Sequence, residues 1–228
     1  MSDPIATSQQ PPKASDSEIL QIMIAEHNNL QAIRSGTIYE SAGRTTLYLG
    51  AVSSSLVALA FIGQMSQMGS AFLIFALILL PSLIFLGIVT FIRVYQTGTE
   101  YMVASRGINR IRHYYAEVAP DIERYFILST HDDMKGMLVN MGVQKQGWWQ
   151  LFVSTHGLVG VINSILAAVF AGLVTSTLLN TSILVVIIFG IVIFTISEYL
   201  HFRYQNIAYN QSEQSLKVLF PSEHTDSQ

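Results

Sequence analysis

Arg106, Arg110 and His113 are spaced so that a helix carries them on one face, with Asn109 and Arg112 beside them. Guanidinium forks hold phosphate oxygens in pairs, so such a stripe suits an anion: a nucleotide, another small anionic molecule or a lipid headgroup. The plainer alternative is that these residues set the orientation of a membrane protein and anchor it to headgroups. His131-Asp132-Asp133 suggests a metal site or phosphohydrolase chemistry. A metal needs three or more converging ligands, and His27, His113, His201 and His224 converge only if the fold brings them together. An Asp that caps the following helix is the simpler reading.

Glu198-Tyr-Leu-His201 has the Glu-x-x-His spacing of di-iron bundles, but those bundles need a second such motif and two more glutamates. The chain contains no P-loop, nucleophile elbow, dinucleotide glycine pattern or zinc-protease motif. No metal, cofactor or enzymatic activity is therefore expected, and chemistry on lipid headgroups is the residual enzymatic reading. Nucleic acid is not an expected partner.

These residues must be positioned by four apolar stretches, at 45–64, 71–94, 151–175 and 182–200. Each meets the roughly 20 residues that a helix needs to cross a bilayer core. Only 12% of the 228 residues are charged, against about 25% in a soluble domain. An all-α integral membrane protein of four spans in two hairpins follows. Arg93 and Glu198 each close the second span of a hairpin, where charge is expensive unless it is paired or snorkels. An ion pair between them is one expectation, and separate snorkelling is the other. Asn163, Ser53, Ser54, Ser55, Ser164 and His156 lie within spans, where they either line a solute path or bond between helices.

Orientation follows from basic residues. Loops 65–70 and 176–181 are uncharged, whereas Lys13, Arg34 and Arg44 precede the first span and seven Lys or Arg from Arg93 to Lys145 lie between the hairpins. The positive-inside rule puts both termini and the central segment in the cytoplasm, in a multi-pass protein of the cell (inner or plasma) membrane. The absence of cysteine excludes disulfides and thiolate metal sites. No secretory signal is read at the start, and residues 1–14 are expected to be a disordered polar tail.

The Ser15–Glu18 spacing predicts a capping box opening a helix over 15–44, one that can run unbroken into the first span with Gly36 and Gly43 as potential bends. Pro81 is expected to kink the second span. Segment 96–150 is expected to hold a helix to Val118, a short helix after Pro120, and another to Gly142 capped by Thr130 or Asp132. Trp148 and Trp149 suit the membrane interface. A last helix is expected from His201 to Phe220, within a final segment of 201–228.

Spans one and three share small residues at a constant offset of 110, and spans two and four share Gly87-Ile-Val-Thr-Phe91 and Gly190-Ile-Val-Ile-Phe194, which suggests a parallel internal repeat. The Gly50, Ser54, Ala58 face is a small-xxx-small pattern. Spans one and three are accordingly expected at the centre, with spans two and four facing lipid or a partner subunit.

The runs Glu26-His27 through Gly43-Arg44 into Leu47-Tyr-Leu-Gly-Ala-Val-Ser-Ser54, Ile108-Asn-Arg-Ile-Arg-His-Tyr-Tyr115 and His131-Asp-Asp133 resemble a group of bacterial membrane proteins with no assigned activity. The resemblance covers most of the chain and implies no mechanism. In layout alone the hairpins with cytoplasmic helices are similar to the two-span effectors of nucleotide-signalled bacterial defence, a likeness that transfers no residues. Two functions follow as expectations. One is a non-enzymatic signalling or stress effector whose cytoplasmic helices bind a partner or anionic ligand. The other is an oligomeric channel or small-solute transporter lined by spans one and three. Self-association is expected in both.

Overall fold

The computed structural model describes residues 14–143, 152–179 and 181–222. The expected disordered tail over 1–14 (all but Ala14), the interfacial Trp148 and Trp149, and the final polar residues lie outside the described residues. Among the described residues all regular structure is helical, with no strand, and four helices are long and apolar enough to span a membrane.

Helix α1 (Asp16–Met65) is a single helix of 50 residues, about 75 Å long at 1.5 Å per residue. Its start is the expected capping box: the Glu18 N–H donates to Ser15 Oγ at 3.4 Å and the Ser15 N–H to Glu18 Oε2 at 2.7 Å. Gly36 and Gly43 do not break it, because the backbone ladder closes on both sides of each. A turn over 66–69 leads into α2 (Ser70–Val118), which continues through Pro81. These two helices pack extensively against each other, and both run well past the apolar segment, forming a stalk that the end of the last helix also joins.

Beyond the stalk lie a 3-10 turn (Pro120–Tyr125) begun by its proline, and the short helix α3 (Met134–Asn140). The cap of α3 is Asp133, which accepts from the Gly136 N–H at 2.8 Å, so neither Thr130 nor Asp132 has that role. Helix α4 (Thr155–Leu179) and helix α5 (Ile183–Ser215) make the second hairpin. Helix α5 ends at Ser215, short of the expected Phe220, and residues 216–222 run on without helical structure, tied to the loop before α3.

The hairpins join through α2 and α4, whereas α1 and α4 meet only briefly. Span two is thus central where span one was expected. The average greasiness of span two hides one face with Ala76, Leu80, Leu83, Gly87, Thr90 and Phe91, all buried. The contact is closest at Gly87: the Asn163 carboxamide of α4 and the Tyr48 hydroxyl of α1 lie where its side chain would be. Glycine permits that approach, and the Asn163 oxygen is buried there without a hydrogen-bond donor among the described residues. The Gly50, Ser54 face of α1 points outward instead. No other element among the described residues comes within 4 Å of where a Gly50 Cβ would be, and the Ser54 hydroxyl bonds back to Gly50 O at 2.7 Å. Gly160, its counterpart in the repeat, is buried against Phe91 and His201. No residue of the apolar stretch of α5 is buried, which agrees with the expected outward position of span four.

Candidate anion-binding site

The stalk begins at an ionic belt. The Arg93 guanidinium grips Glu40 through two parallel bonds of 2.8 and 2.9 Å and reaches Glu100 at 3.0 Å, while Arg44 takes Glu40 from its own helix at 2.8 Å. Hydrogen bonds from Arg93 and then Arg44 hold the Glu40 carboxyl down at about 2. The ion pair considered between Arg93 and Glu198 is not formed. Glu198 accepts from Ser164 at 3.0 Å, and Ser164 adjoins the Asn163 that lies on Gly87. Arg93 is six residues further along α2 than Gly87, about 9 Å deeper into the stalk. Arg93 therefore meets the carboxylates at its own level.

Further along the stalk, Leu30 of α1 fits the notch at Gly107 of α2, which holds the helices close and brings their basic residues together. Arg34 donates to the Tyr101 hydroxyl at 2.8 Å, its guanidinium 5.0 Å from that ring's centroid. Arg112 donates to Asn109 Oδ1 at 3.0 Å. Asn109, fully buried, is fixed from two sides: its amide donates to His131 O at 2.7 Å, and its oxygen also accepts from Asn140 of α3 at 2.9 Å. The loop and α3 thus set the position of Arg112.

Among the described residues, neither Arg34 nor Arg112 has a carboxylate partner; their partners are a phenol and a carboxamide. Burial and the nearby charge of Arg34 push the Arg112 guanidinium below its usual range. Burial and the charge of Arg112 likewise push the His27 imidazole down, and His27 Nδ1 is buried with no partner. Arg34 thus acts unfavourably on Arg112, and Arg112 on His27, across the α1–α2 seam, and no carboxylate among the described residues pairs with either arginine. A negative charge placed here would favour the charged forms of Arg112 and His27.

The other members of the expected stripe are already occupied. Arg106, only 2% exposed, pairs with Glu213 of α5. Arg110 donates to Asp132 at 2.7 Å and to the Lys217 carbonyl. His113 stacks on Phe220 with ring centroids 3.8 Å apart. No group of three or more His, Asp or Glu suited to a metal ion occurs among the described residues.

Inside the apolar segment, polar groups serve helix contacts. Ser164 donates to Ser197 and Glu198, and the His156 ring meets Tyr95 edge-on at 5.5 Å. His201 bonds the Ser197 carbonyl of its own helix at 2.8 Å.

His27 and Arg34 join this candidate site, whereas the sequence offers His27 only as one of several scattered metal-ligand candidates and Arg34 only as an orientation determinant. Their seven-residue spacing puts them on one helical face, a signal visible only once α1 is known to lie against Arg112. Comparison with protein-family models, curated proteins and solved structures finds no match.

Proposed function

We propose that this is a non-enzymatic multi-pass membrane protein whose stalk binds a small anion between α1 and α2, as a signalling or stress effector does. One observation supports it above the others: Arg34, Arg112 and His27 gather at one seam without a carboxylate among the described residues. Arg106 and Arg110, which have internal anions, are structural in this reading. The positive-inside rule puts the stalk in the cytoplasm, where phosphorylated metabolites are the abundant small anions and phosphate oxygens the shared recognition element. Self-association belongs to the same reading, because Ile22, Ile38 and Tyr39 project from the stalk more than half exposed and a solvated apolar helix face favours a partner.

A thermal-shift screen of the purified protein against nucleotides, pyrophosphate and vesicles of anionic lipid tests the site. The expected result is stabilisation by one phosphate-bearing ligand that is absent in Arg34→Ala/Arg112→Ala and retained in Arg106→Ala, after correction for baseline stability. A response to soluble phosphates identifies a metabolite, whereas a response to vesicles alone identifies a headgroup. Equal shifts for wild type and the double variant refute the assignment.

A further inference from the structure

The segment 216–222 is bound as a peptide ligand would be. The Leu219 and Phe220 N–H groups donate to the fully buried Asp132 carboxylate, at 3.1 and 2.8 Å, and the Asp132 N–H donates to Phe220 O at 3.2 Å. Asp133 accepts from the Ser222 N–H at 2.8 Å and from its hydroxyl. Arg110 donates to the Lys217 carbonyl, and the Phe220 ring lies on His113. Most of these bonds go to backbone, so the site accepts an extended strand with an aromatic side chain at one position and a hydroxyl two residues on.

The residues that hold this strand also hold Arg112. Between Asp132 and Asn109 stands His131, whose carbonyl receives the Asn109 amide, and the other end of Asn109 receives Arg112. Asp133, which takes Ser222, also caps α3, and α3 supplies the Asn140 bond to Asn109. The path from segment to guanidinium therefore runs through hydrogen bonds joined by the backbone of residues 131–133 and by α3.

We propose that residues 216–222 form a detachable clasp in an extended-peptide site, and that its docking presets Arg112 for the anion. The affinity part rests on the proposed anion site; the clasp itself does not. With the clasp docked, the loop carbonyl and Asn140 fix Asn109 and Arg112 is held in place. With the clasp released, that loop loses its bonds to the chain's end and Arg112 loses its fixed acceptor.

The test uses full-length protein and the variant Phe220→Ala/Ser222→Ala, which leaves Arg34, Arg112 and Asn109 intact. Hydrogen exchange at Leu219, Phe220 and Ser222 is expected to be slow in wild type and fast in the variant. The Arg112 guanidinium and Asn109 carboxamide NMR signals are expected to move in the variant even without ligand. Pyrophosphate affinity is expected to fall about tenfold, within the usual range of couplings between sites, and to recover when a synthetic peptide of residues 213–222 is added. Fast exchange in wild type overturns the clasp. Fast exchange in the variant with unmoved Arg112 and Asn109 signals overturns the coupling. If wild type binds no pyrophosphate, the anion site fails, while the exchange and NMR readings still decide the clasp.

Discussion

Substitution of Gly87 by alanine tests the crossing that joins the two hairpins. An ideal Cβ there falls 2.2 Å from Asn163 Oδ1, 2.7 Å from Asn163 Cγ and 2.8 Å from Tyr48 Oη, all well inside contact distance. Asn163 is 2% and Tyr48 1% exposed, so neither has free space to retreat into. Overpacking a tight core typically costs about 1–3 kcal/mol. Two clashing neighbours at a helix crossing put Gly87→Ala at the upper end, about 2–3 kcal/mol. The assay is reversible unfolding in mixed micelles followed by circular dichroism. Asn163→Ala removes the two shortest contacts, so the double variant is expected to be more stable than the sum of the single losses by about 1 kcal/mol or more. A Gly87→Ala protein within about 0.5 kcal/mol of wild type, or strictly additive losses, refutes the crossing.

Other substitutions have smaller and more local effects. Gly50→Ala is expected to leave monomer stability within about 0.5 kcal/mol of wild type by the same assay, because no other element among the described residues comes within 4 Å of the added carbon. Ser15→Ala removes the cap of α1 and is expected to cost about 1 kcal/mol, read as faster hydrogen exchange confined to its first turns. Glu40 is a depressed carboxyl, so its stabilisation is full above the ordinary value of 4.5 and is lost as pH falls toward about 2. Acid melts are therefore expected to fall over that window in wild type and to be flatter in Glu40→Gln. His27 is held below its ordinary 6.5, and an anion favours its protonated form. Relative to His27→Ala, which shares pyrophosphate's own protonation, wild type is accordingly expected to gain pyrophosphate affinity as pH falls below the ordinary imidazole range.

What the sequence disclosed reflects which signals are local. Span count and the uninterrupted α1 follow from apolar length and from the absence of a breaker between Ser15 and the first span. The cap at Ser15 is a short-range spacing, and it was legible for the same reason. Span order in the bundle was not. The small face at Gly50 was as good a packing surface by composition as the one at Gly87, but Gly87 is the one met by Asn163 and Tyr48. The basic stripe was legible as a set, yet its members separate according to partners 22 to 107 residues away, Asp132 for Arg110 and Glu213 for Arg106. Arg112 escapes such pairing, and its companions Arg34 and His27 come from another helix. The capture of residues 216–222 by Asp132 and Asp133 was equally hidden, since backbone donors leave no mark in side-chain pattern.

The most direct measurement is a calorimetric titration of pyrophosphate into wild type, Arg34→Ala/Arg112→Ala and Arg106→Ala at two ionic strengths. Saturable binding in wild type and Arg106→Ala, weakened by salt and abolished in the double variant, is the expected result. Binding that survives loss of both Arg34 and Arg112, or no binding to wild type by any phosphate-bearing ligand, contradicts the assignment of the α1–α2 seam as an anion site.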